Sequence, residues 1–250
     1  MPEPFSKTFE IDYRGARADM RTGFVRLMDY VQEASIAHTN STTFPMLWFM
    51  QNHRGWVITN WQVEICSYPQ YGNMMTIETW PSFFKGILGE RSFLVRDGAG
   101  RPILKAFSSW IYTDLDKRRP VRPEADMLAS YGENFPPVIS KDFALPPKEN
   151  FNPIGQYTFT VMGRDIDTNQ HVNNVRYLEW AVDGIPWAIT SQHNVSLMKT
   201  TYRKECGLGD SIAVLTYQHS SGQMAFLSEI YKTDAEPSPA LLTEIYTEWT

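Results

Sequence analysis

The sequence has few cysteines and no long apolar run. Cys66 and Cys206 are its only cysteines in 250 residues, too few for a disulfide framework or a cysteine-rich zinc site. No stretch of about eighteen apolar residues occurs, so we expect no membrane-spanning helix. The first residues lack the basic and then apolar order of a secretion signal, and no Arg- and Ser-rich transit segment is recognisable. These absences together predict a reducing, cytoplasmic location.

The sequence also lacks the signals of nucleic-acid, nucleotide and metal binding. The formal net charge of −5 at pH 7 offers no basic surplus for a nucleic acid. No glycine-rich nucleotide loop is present. The five histidines do not show the paired spacing of zinc ligands: His38, His53, His171, His193 and His219. We therefore expect no nucleic-acid partner, no metal and no cofactor.

Apolar residues are plentiful and regularly spaced. Hydrophobic residues make up 42 % of the chain and aromatic residues 14 %, enough to bury a core in one large domain or two ordinary ones. Helical spacing predicts an amphipathic helix over Gly23–His38. Alternating patterns predict five strands, Phe5–Tyr13, Trp56–Ile65, Met74–Trp80, Leu88–Arg96 and Ile103–Asp114. One helix followed by antiparallel strands is typical of an α+β fold.

The second half of the chain repeats the first. Val25–Tyr30 aligns without a gap with Val175–Trp180, and Gly72–Ile77 resembles Gly209–Val214. The same order of helix and then strands in both halves favours an internal duplication.

Prolines mark the boundary between the two copies. Seven of the sixteen prolines lie between Arg119 and Pro153, and proline gives no amide to a strand ladder. We predict an N-terminal domain at 1–125, a Pro-rich connector at 126–152 and a C-terminal domain at 153–250.

A polar stretch, Asp167–Asn174, precedes the helix of the second copy. It reads Asp-Thr-Asn-Gln-His-Val-Asn-Asn, and Asn173 or Asn174 is suited to cap the helix. Titratable groups on a loop that enters a half-buried helix are common in active sites, although a solvated Asx-rich turn has the same composition.

The first copy lacks the polar groups of that stretch. Arg17, Asp19 and Arg21 align with Asp167, Asn169 and the histidine. We therefore expect one active site, in the second copy, and predict that the first copy holds the substrate.

The polar stretch and the later segment Tyr202-Arg-Lys-Glu-Cys206 resemble the acyl-acyl carrier protein (acyl-ACP) thioesterases of plants and bacteria. The similarity spans most of Tyr13–Asp210. It includes several short segments of the first half: Arg14–Arg17, Gln32–Ala34, Thr79–Trp80, Phe93–Asp97, Ala106–Trp110 and Arg118–Pro120. The resemblance implies an α+β tandem hotdog fold, in which a curved antiparallel sheet wraps a long helix in each half. It also implies hydrolysis of fatty acyl-ACP to free fatty acid, which ends fatty acid synthesis.

The resemblance also implies a set of catalytic residues. The family's catalytic positions fall on Asp167, Asn169, His171 and Glu205, with Cys206 as a disputed member. We expect Glu205 to deprotonate water, His171 and Asn169 to orient that water or donate to the carbonyl oxygen, and Asp167 to anchor the loop. The alternative makes Cys206 the nucleophile. We prefer water attack, because Glu205 would raise the pKa of the thiol and because neighbouring strand residues face opposite sides.

Other residues are candidates for substrate contacts. Basic side chains predict a docking surface for the acidic carrier protein, or an ordinary solvated surface: Lys117, Arg118, Arg119, Arg122, Arg203 and Lys204. Arg203 and Lys204 could instead bind the phosphate of phosphopantetheine. Aromatic residues of the first half are candidates for an acyl tunnel: Trp48, Phe49, Trp56, Trp61, Phe83 and Phe84.

The remaining alternatives concern activity and assembly. An acyl-CoA thioesterase and a non-hydrolytic acyl-binding or dehydratase-like hotdog protein are the other functions considered. Either a monomer or a homodimer is compatible with the sequence.

Overall fold

The computed structural model describes residues 3–250. The chain divides into two compact units, Met1–Asp142 and Phe143–Thr250, and the boundary lies within the predicted connector 126–152. Each unit combines one longer helix with an antiparallel sheet, which confirms the α+β class.

The first unit carries a five-stranded antiparallel sheet and a short extra strand. Its elements are β1 (Phe5–Glu10), α1 (Phe24–Asn40), α2 (Met46–Gln51), β2 (Arg54–Ile65), β3 (Met74–Lys85), β4 (Leu88–Asp97), β5 (Pro102–Asp114), β6 (Arg119–Pro120) and α3 (Ala125–Ser130). The strand order is β1-β3-β4-β5-β2, and β6 pairs with β5.

Helix α1 forms because its apolar residues recur on one face. Leu27, Met28, Val31 and Ala34 are fully buried, at the spacing that places side chains on one side of a helix. The helix contacts β1 and β3. It begins and ends within two residues of the predicted Gly23–His38, so the periodicity alone located the central helix of this unit.

The first part of the predicted connector is folded. Helix α3 buries Met127, and Tyr131 follows it into the same cluster as Phe49 and Tyr112. Burial of these two side chains holds the segment after β6 on the first unit.

The second unit repeats the topology of the first. Its elements are β7 (Phe151–Thr160), α4 (Asn174–Asp183), α5 (Trp187–Thr190), β8 (Val195–Tyr202), β9 (Ser211–His219), β10 (Ala225–Lys232) and β11 (Ala240–Trp249). The strand order is β7-β9-β10-β11-β8, which is the order of the first unit taken strand by strand. Helix α4 contacts β9, β10 and β11.

Two local predictions about strands were wrong. The first strand ends at Glu10 rather than Tyr13, because Tyr13–Gly15 forms a short 3₁₀ turn. Strand β8 ends at Tyr202, so Glu205 and Cys206 lie on a loop rather than on a strand. Within residues 3–250, no helix has the length and apolar character needed to cross a bilayer.

Candidate active site

A tight loop presents the imidazole of His171 at the start of α4. An isolated bridge pairs Ile166 with Val172, and the amide of Asp167 donates to the carbonyl oxygen of His171 at 2.8 Å. Gln170 adopts a left-handed conformation with φ of 63°, which closes the turn. The loop geometry is thus set by backbone bonds.

The carboxylate of Asp167 lies inside this loop. Its Oδ1 atom accepts from the amide of Asn169 at 2.8 Å, an Asx turn that fixes the residues between them. The side chain of Asn169 is exposed. Asp167 therefore occupies the anchoring position expected of it, while its part in catalysis stays a prediction.

The first unit retains the same loop without these groups. Ala16 pairs with Thr22, the amide of Arg17 donates to the carbonyl oxygen of Arg21 at 2.8 Å, and Met20 has φ of 62°. The backbone of the duplicated loop is preserved, and two arginines stand where the second unit has the carboxylate and the imidazole.

The cap of α4 agrees with the sequence-based prediction. The Oδ1 atom of Asn173 accepts from the amide of Val175 at 2.9 Å, and the amide of Asn173 donates to the carbonyl oxygen of Asp165. Among residues 3–250, the amide of Asn174 has no described acceptor. It is the free first-turn donor nearest to the histidine loop.

His171 and Glu205 are in direct contact. The Nδ1 atom of His171 lies 3.1 Å from Oε2 of Glu205, and the two side chains are 30 % and 49 % exposed. The other carboxylate oxygen, Oε1, has no partner among the described residues. One oxygen can therefore hold the imidazole while the other remains accessible to water.

Cys206 points away from this pair. Its side chain is 4 % exposed, and Sγ lies 3.1 Å from the hydroxyl oxygen of Tyr177. Burial raises the pKa of the Cys206 thiol to about 11. The predicted rise in pKa is present, but its main cause is burial rather than the neighbouring carboxylate.

The hydroxyl of Tyr177 fixes the segment that carries Glu205. It accepts from the amide of Cys206 at 3.2 Å, and the carbonyl oxygen of Cys206 accepts from the amide of Val172 at 3.0 Å. Sequence reasoning missed Tyr177, because an aromatic residue on the buried face of a helix is normally part of the core. Its hydroxyl was the available signal, since a buried hydroxyl needs a partner.

Asp210 anchors the other end of the same loop. Its carboxylate accepts from the amide of Gly207 at 2.9 Å and from Nζ of Lys232 at 2.7 Å. Burial alone would raise the pKa of Asp210, but these two donors outweigh it and hold the pKa below its ordinary value. The loop bearing Glu205 is thus tied down on both sides.

The predicted docking residues differ in their surroundings. Lys204 and the four basic residues between 117 and 122 are exposed. Arg203 is also exposed, but it is paired, with Nε 2.7 Å from Oε2 of Glu244. That ion pair leaves Arg203 less suited to bind a phosphate than the sequence alone indicated.

Four of the six aromatic tunnel candidates lie together. Trp48, Phe49, Trp56 and Phe84 belong to one cluster around Tyr131. The other two are separate, because Trp61 packs on Phe93 and Phe83 is exposed.

No group of three or more His, Cys, Asp and Glu side chains in residues 3–250 is arranged to hold a metal ion. The site consists of the imidazole, the carboxylates, the amides and their backbone partners.

The chain matches two sequence families along most of its length. Residues 2–131 match the family described as "Acyl-ACP thioesterase N-terminal domain". Residues 151–250 match the "Acyl-ACP thioesterase C-terminal domain".

Curated plant proteins are similar to the chain. A palmitoyl-acyl carrier protein thioesterase, chloroplastic, of Gossypium hirsutum is 29 % identical over 85 % of this chain and 54 % of its own length. A dodecanoyl-[acyl-carrier-protein] hydrolase, chloroplastic, of Cinnamomum camphora is 28 % identical over 85 % of this chain and 59 % of its own length. The chain thus spans little more than half the length of these relatives.

Solved structures show the same fold. An acyl-ACP thioesterase from Bacteroides thetaiotaomicron matches with a TM-score of 0.83 at 21 % identity, over 98 % of this chain and 97 % of that one. The 12:0-ACP thioesterase from Umbellularia californica matches with a TM-score of 0.82 at 22 % identity, over 98 % and 93 %. These likenesses confirm the tandem hotdog fold expected from the sequence. With both halves matched by its domain families, the chain belongs to the acyl-ACP thioesterase family.

Proposed function

We propose that this chain hydrolyses fatty acyl-ACP thioesters to free fatty acid and ACP, the reaction that ends fatty acid synthesis. The observation that carries the proposal is the contact between Glu205 and His171, whose loop carries Arg21 at the same position in the first unit. The plant relatives are named for palmitoyl- and dodecanoyl-acyl carrier protein, and these names support the choice of substrate.

Water attacks the thioester carbonyl carbon in the proposed mechanism. Glu205 takes the proton from water through its free oxygen, while its other oxygen holds His171. A general base of this kind raises the reaction rate by roughly 10²–10⁴-fold. When the tetrahedral intermediate collapses, the carbon–sulfur bond breaks and the thiolate of phosphopantetheine receives the proton from Glu205. The products are the fatty acid and the thiol of the carrier.

The oxyanion of the intermediate needs hydrogen-bond donors. We assign this role to the unpaired amide of Asn174 and to the exposed amide side chain of Asn169. One such donor raises kcat by a factor on the order of 10²–10³. The amide of Val175 is unsuitable, because the Asn173 side chain already occupies it.

Nucleophilic attack by Cys206 fits the geometry less well. The thiol is buried against Tyr177, and its raised pKa keeps it protonated near neutral pH.

An acyl-CoA thioesterase would use the same chemistry on a different carrier. The ratio of kcat/KM on acyl-ACP to kcat/KM on acyl-CoA distinguishes the two functions.

A paired substitution tests the proposal. We expect His171→Ala to lower kcat/KM on acyl-ACP by at least about a hundredfold. The matched control is Arg21→Ala, the same position of the first-unit loop, which should leave turnover unchanged. Equal losses in the two variants, or no fatty acid release by the wild-type chain, would contradict the proposal.

Several finer features rest on the same proposal. We assign the substrate-holding role to the first domain and carrier docking to the exposed cations Lys117, Arg118, Arg119, Arg122 and Lys204, with Arg203 as a weaker candidate. A cytoplasmic location and a monomeric or homodimeric state stay predictions, and the curated plant relatives are described as chloroplastic.

A further inference from the structure

The first peptide unit inside helix α4 is held at both ends. Its carbonyl oxygen, from Asn174, accepts from the hydroxyl of Tyr202 at 2.8 Å. Its amide, from Val175, donates to Oδ1 of Asn173 at 2.9 Å. Because a peptide unit is planar, a hydrogen bond at each end fixes the orientation of the whole unit.

The held peptide unit adjoins the amide that we assign to the oxyanion. That amide, on the nitrogen of Asn174, has no described acceptor within residues 3–250, and it meets the held unit at the Cα atom of the same residue. A rotation of the held unit would therefore turn the amide as well. The side-chain oxygen of Asn174 adds no hold of its own, since it is buried without a partner in the described part of the chain.

The hydroxyl of Tyr202 is well suited to donate at this place. Burial raises the pKa of Tyr202 far above its ordinary value, so the hydroxyl keeps its proton at neutral pH. The ring packs edge-on against the ring of Tyr177, with 5.7 Å between the two centres. Tyr202 is also the last residue of β8, so its hydrogen bond ties the start of the helix to the end of a strand.

An equivalent backbone bond aligns the two copies in this region. The amide of Thr22 donates to the carbonyl oxygen of Pro69 at 2.9 Å in the first unit, as the amide of Val172 donates to that of Cys206 at 3.0 Å in the second. Ile65 lies four residues before Pro69, and the tyrosine at the end of β8 lies four residues before Cys206. Ile65 is therefore the first-unit counterpart of that tyrosine.

The first unit has neither of the two holds. Ile65 is buried and its side chain has no hydrogen-bonding group. Gly23, which precedes α1 as Asn173 precedes α4, has no side chain to cap the helix. An apolar side chain fills the place of the tyrosine there, so packing of the core does not require the hydroxyl. Both holds accompany the copy that carries the catalytic pair.

We infer that Tyr202 is a positioning residue of the reaction, whose hydroxyl, together with the Asn173 cap, directs the amide of Asn174 at the oxyanion. A donor that is already oriented stabilises the developing charge without having to turn during the reaction. The inference rests on the proposed function, because the amide has this role only if the chain cleaves a thioester. Tyr202 acts through Asn174 and makes no contact with the substrate.

Tyr202→Phe tests the inference, because it removes the hydroxyl and keeps the ring. On acyl-ACP we expect kcat to fall about tenfold, since a misdirected donor loses part of its effect on the transition state. KM should stay within about twofold.

Binding of two inhibitors separates positioning from general damage. One is a dodecyl trifluoromethyl ketone, whose hydrate resembles the tetrahedral intermediate, and the other is the same molecule with a methylene group in place of the carbonyl. Tyr202→Phe should weaken the ketone by about the factor lost in kcat, because both report stabilisation of the oxyanion. Binding of the molecule without oxygen should change less than about twofold.

Two further variants serve as comparisons. Tyr246→Phe removes another hydroxyl of the same unit, one that donates to Glu248 outside the candidate site, and should leave kcat unchanged. Asn173→Ala removes the other hold and should also lower kcat and ketone binding by about tenfold. It replaces Tyr202→Phe if that variant does not fold.

Three results would overturn the inference. They are an unchanged kcat in Tyr202→Phe beside an active wild type, equal losses for both inhibitors, or the same loss of kcat in Tyr246→Phe. Any of these leaves the proposed function standing. A wild type that releases no fatty acid from acyl-ACP would overturn the proposed function and this inference together.

Discussion

The roles of Glu205 and Cys206 can be separated by two single substitutions. With a pKa of about 11, the Cys206 thiol is ionised in roughly one molecule in ten thousand at pH 7. Cys206→Ala should therefore change kcat/KM on acyl-ACP by less than about threefold. Loss of one buried sulfur should cost about 1 kcal/mol of stability, which lowers Tm by about 2–4 °C in a chain of this size.

Glu205→Gln should have a much larger effect on turnover. The amide oxygen can still accept from Nδ1 of His171 across the 3.1 Å contact, but the amide cannot take a proton from water. We expect kcat/KM to fall by about 10²–10⁴-fold with little change in KM. The assay is mass spectrometry of the fatty acid released from acyl-ACP, because exposed Cys66 would react with a thiol reagent. An inactive Cys206→Ala together with a nearly silent Glu205→Gln would show that the nucleophile is the thiol.

Three further predictions concern positioning, pH and docking. Tyr177→Phe removes the hydroxyl that accepts from the amide of Cys206, so kcat should fall about tenfold while KM stays within twofold; a proportional rise in KM would refute the positioning role. Because the pKa of His38 is lowered to about 3 in the folded chain, the unfolded chain binds more protons below pH 6.5. The free energy of unfolding should therefore fall by about 2 kcal/mol between pH 7 and pH 5. In chemical denaturation, His38→Gln should show a loss smaller by that amount, and an identical dependence of stability on pH in both proteins would argue against a buried neutral imidazole. If the exposed cations of Lys117–Arg122 dock the acidic carrier, KM for acyl-ACP should rise with salt, and a flat response would exclude that role.

Periodicity and repetition in the sequence were sufficient for the architecture. The buried face of α1 and the alternation along the strands depend on residues that are close in the sequence, so both can be recognised from the sequence alone. The alignment of Val25–Tyr30 with Val175–Trp180 also located the first-copy counterpart of the histidine loop, and both loops carry the same isolated bridge.

Features that depend on contacts between residues far apart in the sequence could not be predicted in this way. The segment after β8 was expected to be a strand, yet backbone bonds to Tyr177 and Val172 hold it as a loop. The burial of Arg91 on β4 is a second example, because the residue packs against Tyr131, about forty residues later in the chain.

A double-mutant cycle on acyl-ACP hydrolysis tests most directly whether His171 and Glu205 act as one catalytic unit. Residues that work together give non-additive losses. We predict that kcat/KM of the His171→Ala, Glu205→Gln double variant lies within about threefold of the worse single variant. Losses that multiply would show that the two side chains act independently and would contradict the proposed site.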